Sequence, residues 1–186
     1  MVCESPLIED KCQYCNSRNI FFSRLHSIRV KGELEKQIIQ KIKFGNAPHL
    51  SKFFRISARR LIPEFKKQNY TSIVTVPSGK KTIRKRPIPV CLPVVLLFKN
   101  TLGIKVINPL FKKSKDLQSG KNFRERFIHA RNAFDIKKEY SRSLSGNYLL
   151  VDDVFTTGAT INEIAKILLQ NGAERVDVLV LVKGKI

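Results

Sequence analysis

Two adjacent carboxylates, Asp152 and Asp153, end the apolar run Leu149-Leu150-Val151; after Val154 and Phe155 comes Thr156-Thr157-Gly158-Ala159-Thr160. The apolar run suits a buried parallel strand, and open α/β sheets hold ligands at the carboxyl ends of such strands. Gly158 and Ala159 let backbone N–H groups approach an anion closely. The threonine hydroxyls add donors, and a helix starting here would turn its positive end toward the same point. Two carboxylates repel a phosphate, so they must face something else. Sugar hydroxyls, which donate hydrogen bonds to carboxylates, are the natural partner.

This stretch resembles the ribose-5-phosphate loop of the type I phosphoribosyltransferases, with every position of the motif filled. The resemblance implies phosphoribosyl pyrophosphate (PRPP) with Mg²⁺ as ligand. Asp152 and Asp153 would then hold the ribose hydroxyls in the catalytic site, and Thr156, Thr157, Gly158, Ala159 and Thr160 would wrap the 5-phosphate. Upstream, Ser78, Gly79, Lys80 and Lys81 leave the strand Ser72–Val76 with free N–H groups and two cations, and the family binds pyrophosphate there.

Charge is the unusual bulk property. The 186 residues carry 35 Lys and Arg against 15 Asp and Glu, a formal charge of +20. The excess lies in the middle of the chain: 29–67 holds eleven basic and three acidic residues, and 80–131 holds fourteen and two. Such a field predicts a polyanionic partner beyond PRPP, most simply nucleic acid. Arg84, Lys85, Arg86, Lys112, Lys113 and Arg126 are the candidate contacts, with Tyr70 or Phe123 as candidate stacking aromatics. The longest apolar stretch, Val90 to Phe98, is short and broken by Pro93, so no membrane insertion is expected. The acidic start, Met1 to Asp10, does not read as a secretory signal, and the four unevenly placed cysteines do not read as a disulfide framework. A cytoplasmic location is expected.

Cys12 and Cys15 have the spacing of half a tetrahedral Zn²⁺ site, with Cys3 as a third ligand and His26 or Asp10 as the fourth. Reduced, unliganded thiols are the alternative. The spacing of Leu34, Ile38, Ile39 and Ile42 predicts a helix over Glu33–Phe44, stopped by Gly45. A second helix is expected from Pro48, with Lys36, Lys41, Lys43, Lys52, Arg59 and Arg60 on exposed faces. Strands are expected at 72–76, 104–107, 133–136, 148–152 and 176–182, and helices at 94–102, 122–131 and 161–170. Asn108 to Lys121 reads as a mobile basic loop. The fold expected is α/β, a five-stranded, mainly parallel, doubly wound sheet. Three regions are expected: a reduced cysteine segment (1–28), a helical cap (29–68) and a phosphoribosyltransferase-like domain (69–186).

The order of these features is similar to the ComF family of competence-related proteins. The residues that carry the resemblance are the cysteine cluster, Gly32 through Lys43-Phe44-Gly45, Val76-Pro77, Gln118, Glu125-Arg126, Ala133-Phe134 and the acidic-pair loop. It implies a role in taking up transforming DNA, with single-stranded DNA and the uptake machinery as partners. Two family segments are altered, to Arg86-Pro87-Ile88-Pro89 and Arg126-Phe127-Ile128-His129. These bear on pyrophosphate and acceptor chemistry more than on the ribose phosphate. A small-molecule phosphoribosyltransferase acting on a nucleobase or amine is the alternative function.

Overall fold

The computed structural model describes residues 20–45, 47–79, 84, 88–113, 130 and 133–184, and the backbone of 7–8 and 11–12. Two short strands, β1 (Leu7–Ile8) and β2 (Lys11–Cys12), form an antiparallel pair. The main sheet comprises β3 (Arg24–Val30), β4 (Tyr70–Thr75), β5 (Lys105–Ile107), β8 (Asn147–Phe155) and β9 (Arg175–Lys183). Its order is β3-β9-β8-β4-β5, and every pairing is parallel. Parallel neighbours need crossovers, which the helices supply. These are α1 (Glu33–Phe44), α2 (Lys52–Ala58), α3 (Ile62–Lys66), α4 (Leu92–Leu102) and α5 (Ala159–Gln170). A separate antiparallel ribbon joins β6 (Leu110–Lys112) to β7 (Phe134–Ile136). No helix among the described residues is long and apolar enough to cross a membrane.

The alternation along β8 explains the two layers. Tyr148 and Leu150 join Ile161, Ile164, Ala165 and Leu168 of α5 on one face. Leu149 and Val151 meet Ile39 and Ile42 of α1, Phe54 of α2, Phe65 of α3, and Val94 and Phe98 of α4 on the other. Helices thus cover both faces, the doubly wound α/β arrangement expected. The α1–α3 helices share one core with the sheet, and the expected boundary at residue 28 falls within β3.

Two strand expectations are corrected. The central sheet does have five strands, but its opening strand is Arg24–Val30, at the edge beside β9, rather than Ser72–Val76. Phe134–Ile136 leaves the sheet to pair with Leu110–Lys112, so part of the expected basic loop is strand. Exposed β3 carries its own protection. The Arg60 side chain donates to the Ser27 and Ile28 carbonyls at 3.3 and 2.6 Å, so that whichever of these two consecutive carbonyls faces the open edge is occupied.

At the amino end of the sheet, Tyr70 is 6% exposed and its hydroxyl donates to Asp177 Oδ2 at 2.9 Å across the intervening β8. Burial and the Asp177 carboxylate push that hydroxyl's pKa up. Tyr70 is therefore a structural residue and not the exposed stacking aromatic the sequence suggested. Phe123 lies outside the described residues.

Candidate phosphoribosyl site

β8 runs on past its apolar half, so Asp152 and Asp153 belong to its carboxyl-terminal end and are both half-buried. The Asp153 N–H donates to Asp152 Oδ1 at 2.8 Å. Burial and the neighbouring Asp153 carboxylate push the Asp152 pKa up to about 7; the Asp153 N–H and the Lys43 ammonium pull the other way. Lys43 Nζ lies 2.5 Å from Asp153 Oδ2, with both side chains 23% exposed. Helical spacing alone puts Lys43 on a solvated face. Instead its length carries the charge back to the acidic pair, and no local sequence signal announces that contact.

α1 explains how Lys43 gets there. The helix opens beside the edge strand, where the Glu35 carboxylate accepts from Arg29 Nε and the Gly32 N–H, each at 3.0 Å. Twelve residues span about 18 Å, enough to pass β9 and end at β8. Ile39 and Ile42 are buried beneath it, while Leu34, expected inward, is 54% exposed.

After Phe155 the chain turns through Thr156, Thr157 and Gly158 into α5. Gly158 precedes the first helical residue at φ +71°, and a Cβ there would meet the Phe155 ring at 2.8 Å. Glycine is thus required twice, by backbone conformation and by the ring beneath it. Thr157 Oγ1 accepts weakly from the Ala159 N–H at 3.4 Å. Thr156 is exposed, Thr157 and Thr160 are half-buried, and Ala159 is buried. The opening turn of α5 carries helix-start N–H groups, a suitable place for an anion.

Other expected contacts are dispersed. Ser78 and Gly79 lie at the exit of β4, and Lys112 of β6 approaches: a Cβ on Gly79 would be 3.9 Å from Lys112 Nζ. Burial lowers the Lys112 pKa. Lys113 pairs with Asp135 at 2.7 Å, and Arg84 is exposed. Lys80, Lys81, Lys85, Arg86 and Arg126 lie outside the described residues, as do Cys3, Cys15 and the Cys12 side chain. His26 is buried in β3, its ring edge-on to Phe65 and its Nδ1 3.6 Å from Glu64 Oε1.

The raised Asp152 pKa makes a stability prediction. Its folded value of about 7 exceeds the ordinary 3.8, so the ionised carboxyl opposes folding. That opposition is complete above pH 7 and relieved as pH falls toward 4. Asp152→Asn is expected to stabilise the ligand-free protein at pH 8 by up to a few kcal/mol, and hardly at pH 4. Urea unfolding at the two pH values checks this.

The chain is similar to competence proteins, to one of them across nearly its whole length. It is 28% identical over 184 residues to competence protein ComFC of Streptococcus pneumoniae (strain ATCC BAA-255 / R6), covering 97% of this chain and 79% of that protein. Over 79 residues it is 35% identical to competence protein F of Haemophilus influenzae (strain ATCC 51907 / DSM 11121 / KW20 / Rd), covering 41% of this chain and 34% of the relative. Solved structures similar to it include a purine phosphoribosyltransferase from Pyrococcus horikoshii Ot3, at 16% identity and a TM-score of 0.42. That match covers 84% of this chain and 78% of the other. No family model matches.

Proposed function

We propose that the protein binds Mg-PRPP at the Asp152–Asp153 loop and single-stranded DNA along its basic middle, acting in DNA uptake during transformation. The observation that carries the reading is the acidic pair at the carboxyl end of β8, followed by a left-handed glycine that opens α5. This places hydroxyl acceptors and anion donors a few residues apart, as a sugar phosphate requires. The similarity to competence proteins supports the cellular role.

Mg²⁺ fits as part of the ligand. Among the described residues no cluster of three metal-ligating side chains exists. The site offers two carboxylates, the usual protein share when substrate phosphates and water complete the shell. Bound Mg²⁺ would neutralise the pyrophosphate. In this reading Asp152 and Asp153 orient the ribose hydroxyls, Gly158 to Thr160 anchor the 5-phosphate, and Lys112 adds positive charge beside Gly79.

A labelled oligonucleotide titrated over a salt series tests the DNA half. Each single-strand phosphate neutralised adds about 0.7 to the slope of log affinity against log salt. Contact with five phosphates would lower affinity by roughly 3,000-fold over a tenfold rise in salt. A flat response, or no binding at low salt, would remove DNA from the account and favour the small-molecule phosphoribosyltransferase.

A further inference from the structure

The charge field supplies attraction for phosphates but nothing that grips a base. Of the aromatics suggested by sequence, Tyr70 is buried. The described surface offers another. Phe44, the last residue of α1, is 85% exposed, the most exposed large apolar side chain among the described residues.

Its position follows from the helix. Glu35, Ile39 and Ile42 form the buried face of α1, which turns Phe44 away from the core. The adjacent Lys43, its Cα about 3.8 Å away, is held on Asp153. Gly45 then stops the helix, its N–H donating to the Lys41 carbonyl at 2.9 Å. Phe44 thus follows directly on the residue whose ammonium meets Asp153, and its ring stands in solvent.

An exposed cation, Lys41, shares the last turn of α1 with Phe44. Lys31, also exposed, lies at the other end of α1, just after β3. An exposed aromatic with a cation on the same helical turn is the combination that holds single strands: the ring takes a base and the cation meets the backbone.

We propose that Phe44 is a nucleobase-stacking platform at the mouth of the Asp152–Asp153 site. This deepens the DNA-binding reading and rests on it for the source of the base. A base stacked there would lie at the end of α1 from which Lys43 reaches Asp153.

The chain contains no tryptophan, so Phe44→Trp creates a fluorophore reporting on this position alone. The variant is titrated with a thymidine oligonucleotide, an abasic oligonucleotide of equal length, and free adenine. Anisotropy of labelled oligonucleotide is followed in parallel for wild type, Phe44→Trp, Phe44→Leu and Phe44→Ala. Stacking predicts quenching by the thymidine strand but not the abasic one, and affinity about tenfold weaker in the Leu and Ala variants. Quenching by free adenine alone would support the platform with a free base as its source, while removing DNA. Oligonucleotide binding without quenching and with equal affinity in all variants would overturn the platform and leave the DNA reading intact. Neither quenching nor binding with any probe would overturn both.

Discussion

Replacing Asp152 and Asp153 together by asparagine is expected to weaken Mg-PRPP binding by at least ~100-fold while the chain stays folded. Asparagine keeps the shape but replaces charged acceptors with neutral ones. A hydrogen bond to a charged group contributes about 1.5–3 kcal/mol, so losing two accounts for that factor at the lower bound. Folding should survive because the half-buried pair carries opposing tendencies. Removing the Asp152 charge relieves the burial and repulsion that raise its pKa, while removing Asp153 leaves the Lys43 ammonium without its partner. Lys43→Met separates these effects, since it removes the cation and leaves both carboxylates. Calorimetric titration reads the binding, and thermal melting followed by circular dichroism reads the fold. Unchanged affinity in a folded double variant would remove the acidic pair from the site.

Gly158→Ala is the second large effect, expected to destabilise the protein by about 2–5 kcal/mol. A left-handed backbone costs an L-residue about 1–2 kcal/mol. The added methyl also meets the Phe155 ring below contact distance, and overpacking typically costs about 1–3 kcal/mol more. Phe155→Leu in the same chain should recover the crowding part but not the backbone part. Urea unfolding of the four proteins in the cycle reads the coupling. Full additivity would mean that the loop shifts away from β8 and that Phe155 does not support it.

Local signals were strong where one residue type served one purpose. Ile39 and Ile42 with Gly45 bounded α1 correctly, and the apolar run before Asp152 marked the central strand. β3 is not legible locally because His26, Ser27 and Arg29 interrupt its apolar residues, and because an edge strand takes its partner from 153 positions away. Ala133–Ile136 has strand-forming residues, yet three paired positions suit a ribbon with Leu110–Lys112 as well as a sheet. The acidic-pair loop was legible because its residues are contiguous. Lys43 was not, because its contact joins α1 to β8 across 110 positions. The exposure of Phe44 is not legible for another reason: helical periodicity shows which residues can face the core, not which aromatic is left in solvent.

The most direct test of the central claim is calorimetric titration of the wild-type chain with PRPP, with and without Mg²⁺, at pH 8, where Asp152 is largely ionised. Saturable binding at one site per chain is expected, strengthened by Mg²⁺ and competed by ribose 5-phosphate. A folded chain that gives no binding heat and no thermal stabilisation with Mg-PRPP would contradict it.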